Sequence, residues 1–454
     1  MGGHLGMDAR IVIAGGGGAG LMAGIAAARQ GAKVLILDQK EKPGKKLYAT
    51  GNGRCNFTNL RQEKECYRGG DPDFVMRALG RFGLPETLAL FRELGLKERE
   101  INGYLYPYSG QAKDVVSLLL NELDALSVTV RCSERVEDIR KESRGFLIRT
   151  RSADPKNPSG KEPDCVERTH HAAFVILAPG GCASYRLGSD GSGYELAKRL
   201  GHSVIPPVPA LVALKTRQNT KPVSGVRFFG SGELYSQGGR RMLVAEKGEF
   251  LFTDYGISGI PVMQMSRFAA KELQAGGTVV LRLNLIGDMP EEEQEEQLER
   301  RLTGKQNRTA LQALTGLIQE QLVRYVLREC GIRDGERLDA VPKEKKRTLA
   351  KLIRSLELDI TGTNSFENAQ VCAGGVPLRE ISDDMESLIC PGLYLAGELL
   401  DVDGTCGGYN LQWAWTSGWI AGSRAGRLAV RREQGSRRAG AGARERKENR
   451  YDTN

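Results

Sequence analysis

Apolar and polar positions follow two regimes along the chain. Arg10–Ala14 (RIVIA) and Lys33–Asp38 (KVLILD) are short apolar runs, and Leu21–Gln30 between them reads as a helix. Strand, tight turn, helix and second buried strand is the βαβ grammar of a parallel sheet. Residues from about 72 to 95 and Ala112–Leu126 read as amphipathic helices, residues 128–150 as β-rich, and Phe174–Ala178 (FVILA) as another buried strand. After Pro206, Pro207 and Pro209 the pattern becomes short strands with glycine turns, to about residue 285. Residues 289–356 are charged and helical. Near Cys372 the glycine-rich α/β pattern returns, ending in Leu393–Ala396 (LYLA) and a helix from about Leu411 to Arg427.

These shifts predict an α/β fold with a discontinuous Rossmann-like domain, residues 8–205 and 366–430. It is interrupted by a β-rich domain at 206–288 and a helical subdomain at 289–365. A prior of about 150 residues per domain suits that partition.

Ile11–Ala28 carries no charge over 18 residues and resembles a membrane span or signal peptide. Gly15–Gly18, Gly20 and Gly24 argue against it, since each interior glycine costs a helix about 1 kcal/mol relative to alanine. The expectation is a protein without a membrane span. The net charge of +9 would suit a nucleic-acid partner, but residues 431–454 alone supply +4, with eight Arg or Lys against four Asp or Glu. That segment lacks apolar periodicity and reads as a disordered basic tail; no nucleic-acid partner is expected. The nine cysteines include no CxxC pair and no metal spacing, so reduced thiols, a cytoplasmic location and no metal are expected. Met1 and Met7 are alternative starts.

Gly15-Gly16-Gly17-Gly18-Ala19-Gly20 satisfies GxGxxG directly after a strand. Gly15 permits the turn, Gly17 lets backbone approach a pyrophosphate, and Gly20 allows close helix–strand packing, with N–H groups of the helix start facing the phosphates. Asp38 ends the second strand, where a carboxylate accepts from ribose hydroxyls. GxGxxG alone is weak; here strand, turn, helix, second strand and acid agree.

Downstream residues point to FAD rather than NAD as the resident group. Lys42–Asn59 is a polar, glycine-rich loop where an NAD enzyme continues into another βα unit; it holds Lys46, Leu47, Gly51, Asn52, Gly53, Arg54 and Asn56. Val175–Gly181 (VILAPGG), with Ala178 and Gly180, is a strand entering a small-residue turn. Gly392–Glu398 (GLYLAGE) ends in Gly397 and Glu398, and Gly407-Gly408-Tyr409-Asn410-Leu411 opens the last helix, whose N–H groups suit the flavin pyrimidine edge.

With GGGGAG (15–20), TGNGRCNFTN (50–59), GSDGSGYELAKRLGH (188–202), LFTDYGISGIPVMQMS (251–266) and GLYLAGELLDVDGTCGGYNLQWAWTSGW (392–419), the chain resembles the HI0933-type (BaiN-like) bacterial flavoproteins of the glutathione-reductase-type FAD superfamily. The likeness spans about residues 10–427. Two departures are Pro179, where Thr is usual, and Asp254, where His is common; the second puts acid/base chemistry there in doubt. The resemblance implies a FAD domain with β-barrel-like and helical insertions, and places Ala19, Asp38, Gln39, Arg54, Val136, Glu398 and Leu411 near FAD. It also implies reduction of C=C bonds conjugated to a ketone in 3-oxo-Δ4 or Δ4,6 steroid or bile-acid intermediates, as free acids or CoA thioesters.

No second GxGxxG follows a strand, so NADH or NADPH would be a transient donor. Tyr104, Tyr106 and Tyr409 are the proton-donor candidates, against plain packing of a strand face. Cys55 and Cys406 read as redox thiols or as small buried residues. Trp413, Trp415 and Trp419 read as core. A peroxide-producing amine oxidase, a tRNA-modifying flavoprotein and a non-catalytic flavin sensor remain as alternatives.

Overall fold

The computed structural model describes residues 11–153, 165–303 and 307–451, with side chains to residue 435. Contacts divide the chain into residues 1–207 with 373–454, and residues 208–372.

The first unit is built on a parallel sheet of β1 (Ile11–Ala14), β2 (Val34–Leu37), β3 (Thr129–Arg131), β4 (Phe174–Leu177) and β5 (Leu393–Leu395). The spatial order is β5-β4-β1-β2-β3, with Ile11 opposite both Val34 and Phe174. Every residue of β1 and β2 is buried, as unbroken apolar strands in a sheet covered on both faces must be. Helix α1 (Gly18–Ala28) follows β1, and α2 (Tyr409–Tyr451) follows β5. An antiparallel sheet of Glu134–Glu142, Gly145–Ala153 and Cys165–Ala172 adds Ile139, Phe146 and Ile148 to the same core.

The α2 helix overruns its expected end near Arg427, and the backbone of the basic segment continues it to Tyr451 instead of forming a disordered tail. Its composition of Arg, Ala, Glu and Lys has high helix propensity, which the absence of an apolar stripe concealed.

The second unit is a closed six-stranded barrel with a helical elaboration. Leu214–Thr216, Gly256–Gly259, Arg241–Thr253, Arg227–Ser236, Val279–Asn284 and Leu356–Thr363 close in that order. Phe228 stacks on Phe250 and Phe252 inside, at 5.2 and 5.7 Å. The expected barrel and helical parts are both present and pack on each other, with Leu302, Val326 and Ile353 sharing one apolar core with Leu281 and Leu358. Residues 356–363, assigned from their charged surroundings to the helical part, are the strand that closes the barrel. The return to the first unit falls at Ala373, later than the expected residue 366.

Candidate flavin site

The β1–α1 turn is shaped by contacts that only hydrogen tolerates. Gly15 has φ +110°, and a Cβ there would stand 2.3 Å from the Ala178 carbonyl oxygen; at Gly20 it would stand 1.9 Å from that of Gly15. Gly17 meets nothing within 4 Å, so its backbone lies open. Helix α1 has neither a side-chain N-cap nor an acidic residue in its first turn, which leaves its N–H groups and positive dipole end for an anion.

Asp38 braces this turn: its carboxylate accepts from the Gly16 N–H (2.7 Å) and the Lys40 N–H (2.8 Å). Burial pushes its pKa up against those two bonds. The Glu134 N–H donates to the Asp38 carbonyl oxygen (2.9 Å), which sets Val136, next to a β-bulge, at the same end of the sheet. There Arg131, Cys132, Glu134 and Arg168 line a cavity of about 320 Å³. The Gln39 amide is occupied at both ends, donating to Gly188 O (2.6 Å) and accepting from Arg135 (2.7 Å).

The loop after Asp38 folds back under the glycine turn. The Gly44 N–H donates to the Gly16 carbonyl oxygen (2.7 Å), and Leu47 is buried beside Gly18. Lys46 Nζ lies 2.7 Å from Glu398 Oε2, a half-buried pair joining residues 352 apart in sequence. Gly51, Asn52 and Gly53 all take left-handed backbone, leaving residues 51–54 exposed, with the Arg54 guanidinium 5.5 Å from the Tyr106 ring. Cys55 is also left-handed and fully buried, and burial pushes its thiol to about 11, against a bond from Thr50.

The C-terminal segment closes the cradle. Gly397 has φ +74°, and a Cβ there would lie 2.9 Å from that of Ala19. Its N–H donates to Ser417 Oγ (2.9 Å), and its carbonyl accepts from Trp413 Nε1 (3.2 Å). The Asn410 amide is committed to Gly404 and the Asn56 amide to Thr58, Leu105 and Gly408, so both brace loops. Leu411 packs at the edge of the core. Gly180 (φ +79°) presses on Ser189. Gly408 approaches Thr58 O, and the Tyr104 ring covers Gly407.

Tyr104 and Tyr106 share one half-buried face of strand Tyr104–Pro107. Burial raises Tyr104, with Cys406 adding to the shift. Tyr409 sits in the core, edge-on to Tyr67 at 5.8 Å; burial and a hydrogen bond to Cys66 push its pKa far up. Trp413 and Trp415 are buried, and Trp419 stacks on Phe82 at 4.7 Å.

The feature missed in the sequence is the seam between α1 and α2. A Cβ on Gly418, Gly422 or Gly426 would come within 2.3, 2.2 and 2.9 Å of the carbonyl oxygens of Ala19, Ala23 and Ala27. Glycine every fourth residue in one helix, facing alanine every fourth in the other, is the signal that was available.

Gly15–Gly20 and Gly397–Leu411 thus converge on one uncapped helix start, and these residues fit FAD. A parallel sheet with this cradle defines a flavin-dependent oxidoreductase of Rossmann type. The chain belongs to the HI0933-like family, whose Rossmann-domain description matches residues 9–424. It is 43% identical over 417 residues to the 3-dehydro-bile acid delta(4,6)-reductase of Clostridium scindens, covering 91% of this chain and 98% of that one. It is 29% identical to the ribosomal RNA dihydrouridine synthase of Escherichia coli, over 90% and 96% of the two chains. The 3-ketosteroid-delta4-(5alpha)-dehydrogenase from Rhodococcus jostii RHA1 has a TM-score of 0.48 at 16% identity, over 93% and 96%. Among the described residues, no helix is long and apolar enough to cross a membrane.

Proposed function

We propose that the chain is an NAD(P)H-driven reductase of C=C bonds conjugated to a ketone, acting on 3-oxo-Δ4 or Δ4,6 steroid or bile-acid intermediates. The observation that carries this reading is the 43% identity, across nearly both full lengths, to a delta(4,6)-reductase.

FAD, when bound, supplies hydride transfer. The backbone at Gly17 and the N–H groups of α1 would hold its pyrophosphate, and Asp38 would receive its ribose. The Lys46–Glu398 pair fixes the loop at residues 45–54 against the turn before α2. The start of α2 would offer its positive end to the flavin ring and favour the charge that builds up there on reduction. Tyr104 holds the proton for the substrate α-carbon, because its hydroxyl shares an accessible face with Tyr106, whereas Tyr409 is enclosed. NAD(P)H would bind transiently, since no second GxGxxG follows a strand in the sequence.

The dihydrouridine synthase relatives favour a second substrate with the same bond pattern, since the C5=C6 bond of uracil is conjugated to a carbonyl. Anaerobic stopped-flow decides between them. Enzyme bleached with NADH or NADPH should regain its flavin bands on mixing with a 3-oxo-Δ4 steroid and not with a uridine-containing RNA. Absence of reoxidation by the steroid overturns the proposal, and peroxide formation with an amine would redirect it to an oxidase.

A further inference from the structure

The helical elaboration of the second unit contains a solvent-open cleft of about 870 Å³, bordered by helices Glu291–Thr303 and Lys343–Arg354. Ligand sites of small organic molecules span about 300–1,000 Å³. Leu298 and Leu302 from the first helix and Ala350 from the second give it an apolar floor. Five cations line it against two carboxylates. Arg354 is committed, bonding Glu291 (2.8 Å) and Glu295 (2.9 Å). Lys343, Lys346, Arg347 and Lys351 face no carboxylate in an ion pair among the described residues.

We propose that this cavity binds a small amphipathic anion, its apolar body on Leu298, Leu302 and Ala350 and its carboxylate or other acidic head on Lys346, Arg347 and Lys351. A ligand with an apolar body and an acidic head matches a floor made by the edge of the apolar core and a rim of cations without ion pairs, gaining apolar contact and charge-assisted hydrogen bonds at once. A polyanion fits less well, because Glu295 and Glu299 of the opposite helix also line the cavity and oppose a phosphate chain laid across it. The cavity lies within the second unit, and its residues are distinct from those of the flavin cradle. The proposal goes beyond the reductase reading and does not depend on it.

Isothermal titration of the full FAD-loaded chain with cholate, and separately with dodecanoate, tests it. At least one of the two should bind saturably and lose affinity as salt rises. A Lys346→Glu, Arg347→Glu double variant should weaken that binding about tenfold or more, and Ala350→Trp, which fills the floor, should abolish it. Flavin absorbance and melting temperature of the double variant should match the parent, since both altered side chains are on the surface. No saturable binding by either probe, or binding that neither variant changes, overturns the site. So does saturable binding of single-stranded RNA that the double variant removes while neither anion binds. Enone reduction is read by flavin reoxidation, so failure of either proposal leaves the other standing.

Discussion

Gly418 lies against the Ala19 carbonyl oxygen so closely that a methyl group on its α-carbon would stand 2.3 Å away. Two effects compete in a Gly418→Ala variant. Helix propensity favours alanine by about 1 kcal/mol, whereas overpacking a tight contact costs about 1–3 kcal/mol. Backbone oxygen cannot rotate aside, so the second should win. The variant should melt lower and, if the turn containing Ala19 receives the pyrophosphate as proposed, retain less FAD on purification. Gly435 in the same helix has nothing within 4 Å, and its alanine variant should not lower the melting temperature.

Lys46 and Glu398 connect the loop after β2 to the turn before α2, with side-chain exposures of 25% and 17%. At that burial, removing either charge breaks an ion pair that is partly shielded from water. Glu398→Gln and Lys46→Met should each weaken FAD affinity by about tenfold, on the order of 1–2 kcal/mol. The double variant should lose less than the sum, and additive losses in a fluorescence titration would show that the pair does not act as a unit.

Cys55 lies inside one of the motifs that carry the family resemblance, which left open a redox thiol. Its burial and a thiol pushed to about 11 make it unreactive. In native protein at pH 8, thiol titration should leave Cys55 unmodified, as read by mass spectrometry of its peptide. Cys55→Ala should retain turnover, though φ +57° strains either residue.

The β1–α1 turn was legible because its glycines answer local demands: Gly15 and Gly20 sit where a turn and a close packing require them, in an order set by adjacent strands. The role of Asn56 and Asn410 was not legible. Amides beside a predicted ligand read as contacts, while the folded chain commits both to loop carbonyls and N–H groups that come together only in three dimensions. The closing barrel strand Leu356–Thr363 was hidden for a related reason. Its alternation, buried at Leu356, Leu358 and Ile360, directly follows a basic helix, so charge outweighed period. The Gly418/Ala19 seam obscured itself, since small residues contribute little to an apolar stripe.

Tyr104 and Tyr106 occupy one face beside Arg54 and Gly407, and the proposed role falls on Tyr104. Tyr104→Phe should slow reoxidation of reduced enzyme by an enone about a hundredfold or more, while bleaching by NAD(P)H proceeds as before. A loss in both half-reactions would mark a structural role. Tyr409→Phe should lower stability through its Cys66 bond and leave the ratio of the half-reactions unchanged.

His202 is enclosed between Glu380 and Ser387: its Nδ1 lies 2.8 Å from Glu380 Oε2 and its Nε2 2.8 Å from Ser387 Oγ. The order Ser–His–Glu mimics a hydrolase triad, but Ser387 is buried and its oxygen already accepts from the Ile389 and Cys390 N–H groups. Its proton therefore goes to Nε2, and the imidazole proton on Nδ1 to Glu380. No hydrolysis of an activated ester is expected. Burial pushes the Glu380 carboxyl up, but hydrogen bonds from Ser203 and His202 outweigh it and leave the pKa below the ordinary 4.5. A carboxyl whose folded pKa is depressed stabilises the fold above its unfolded pKa, and that contribution disappears as pH falls through the folded value. Melting temperature should therefore fall with acidification below about pH 4.5, and Glu380→Gln should flatten that part of the profile. His202→Ala, which removes one hydrogen bond from Glu380 and one from Ser387 while leaving their bonds to Ser203 and to the Ile389 and Cys390 N–H groups, should cost about 1–3 kcal/mol at neutral pH. An acid limb identical in parent and Glu380→Gln would remove Glu380 from the account.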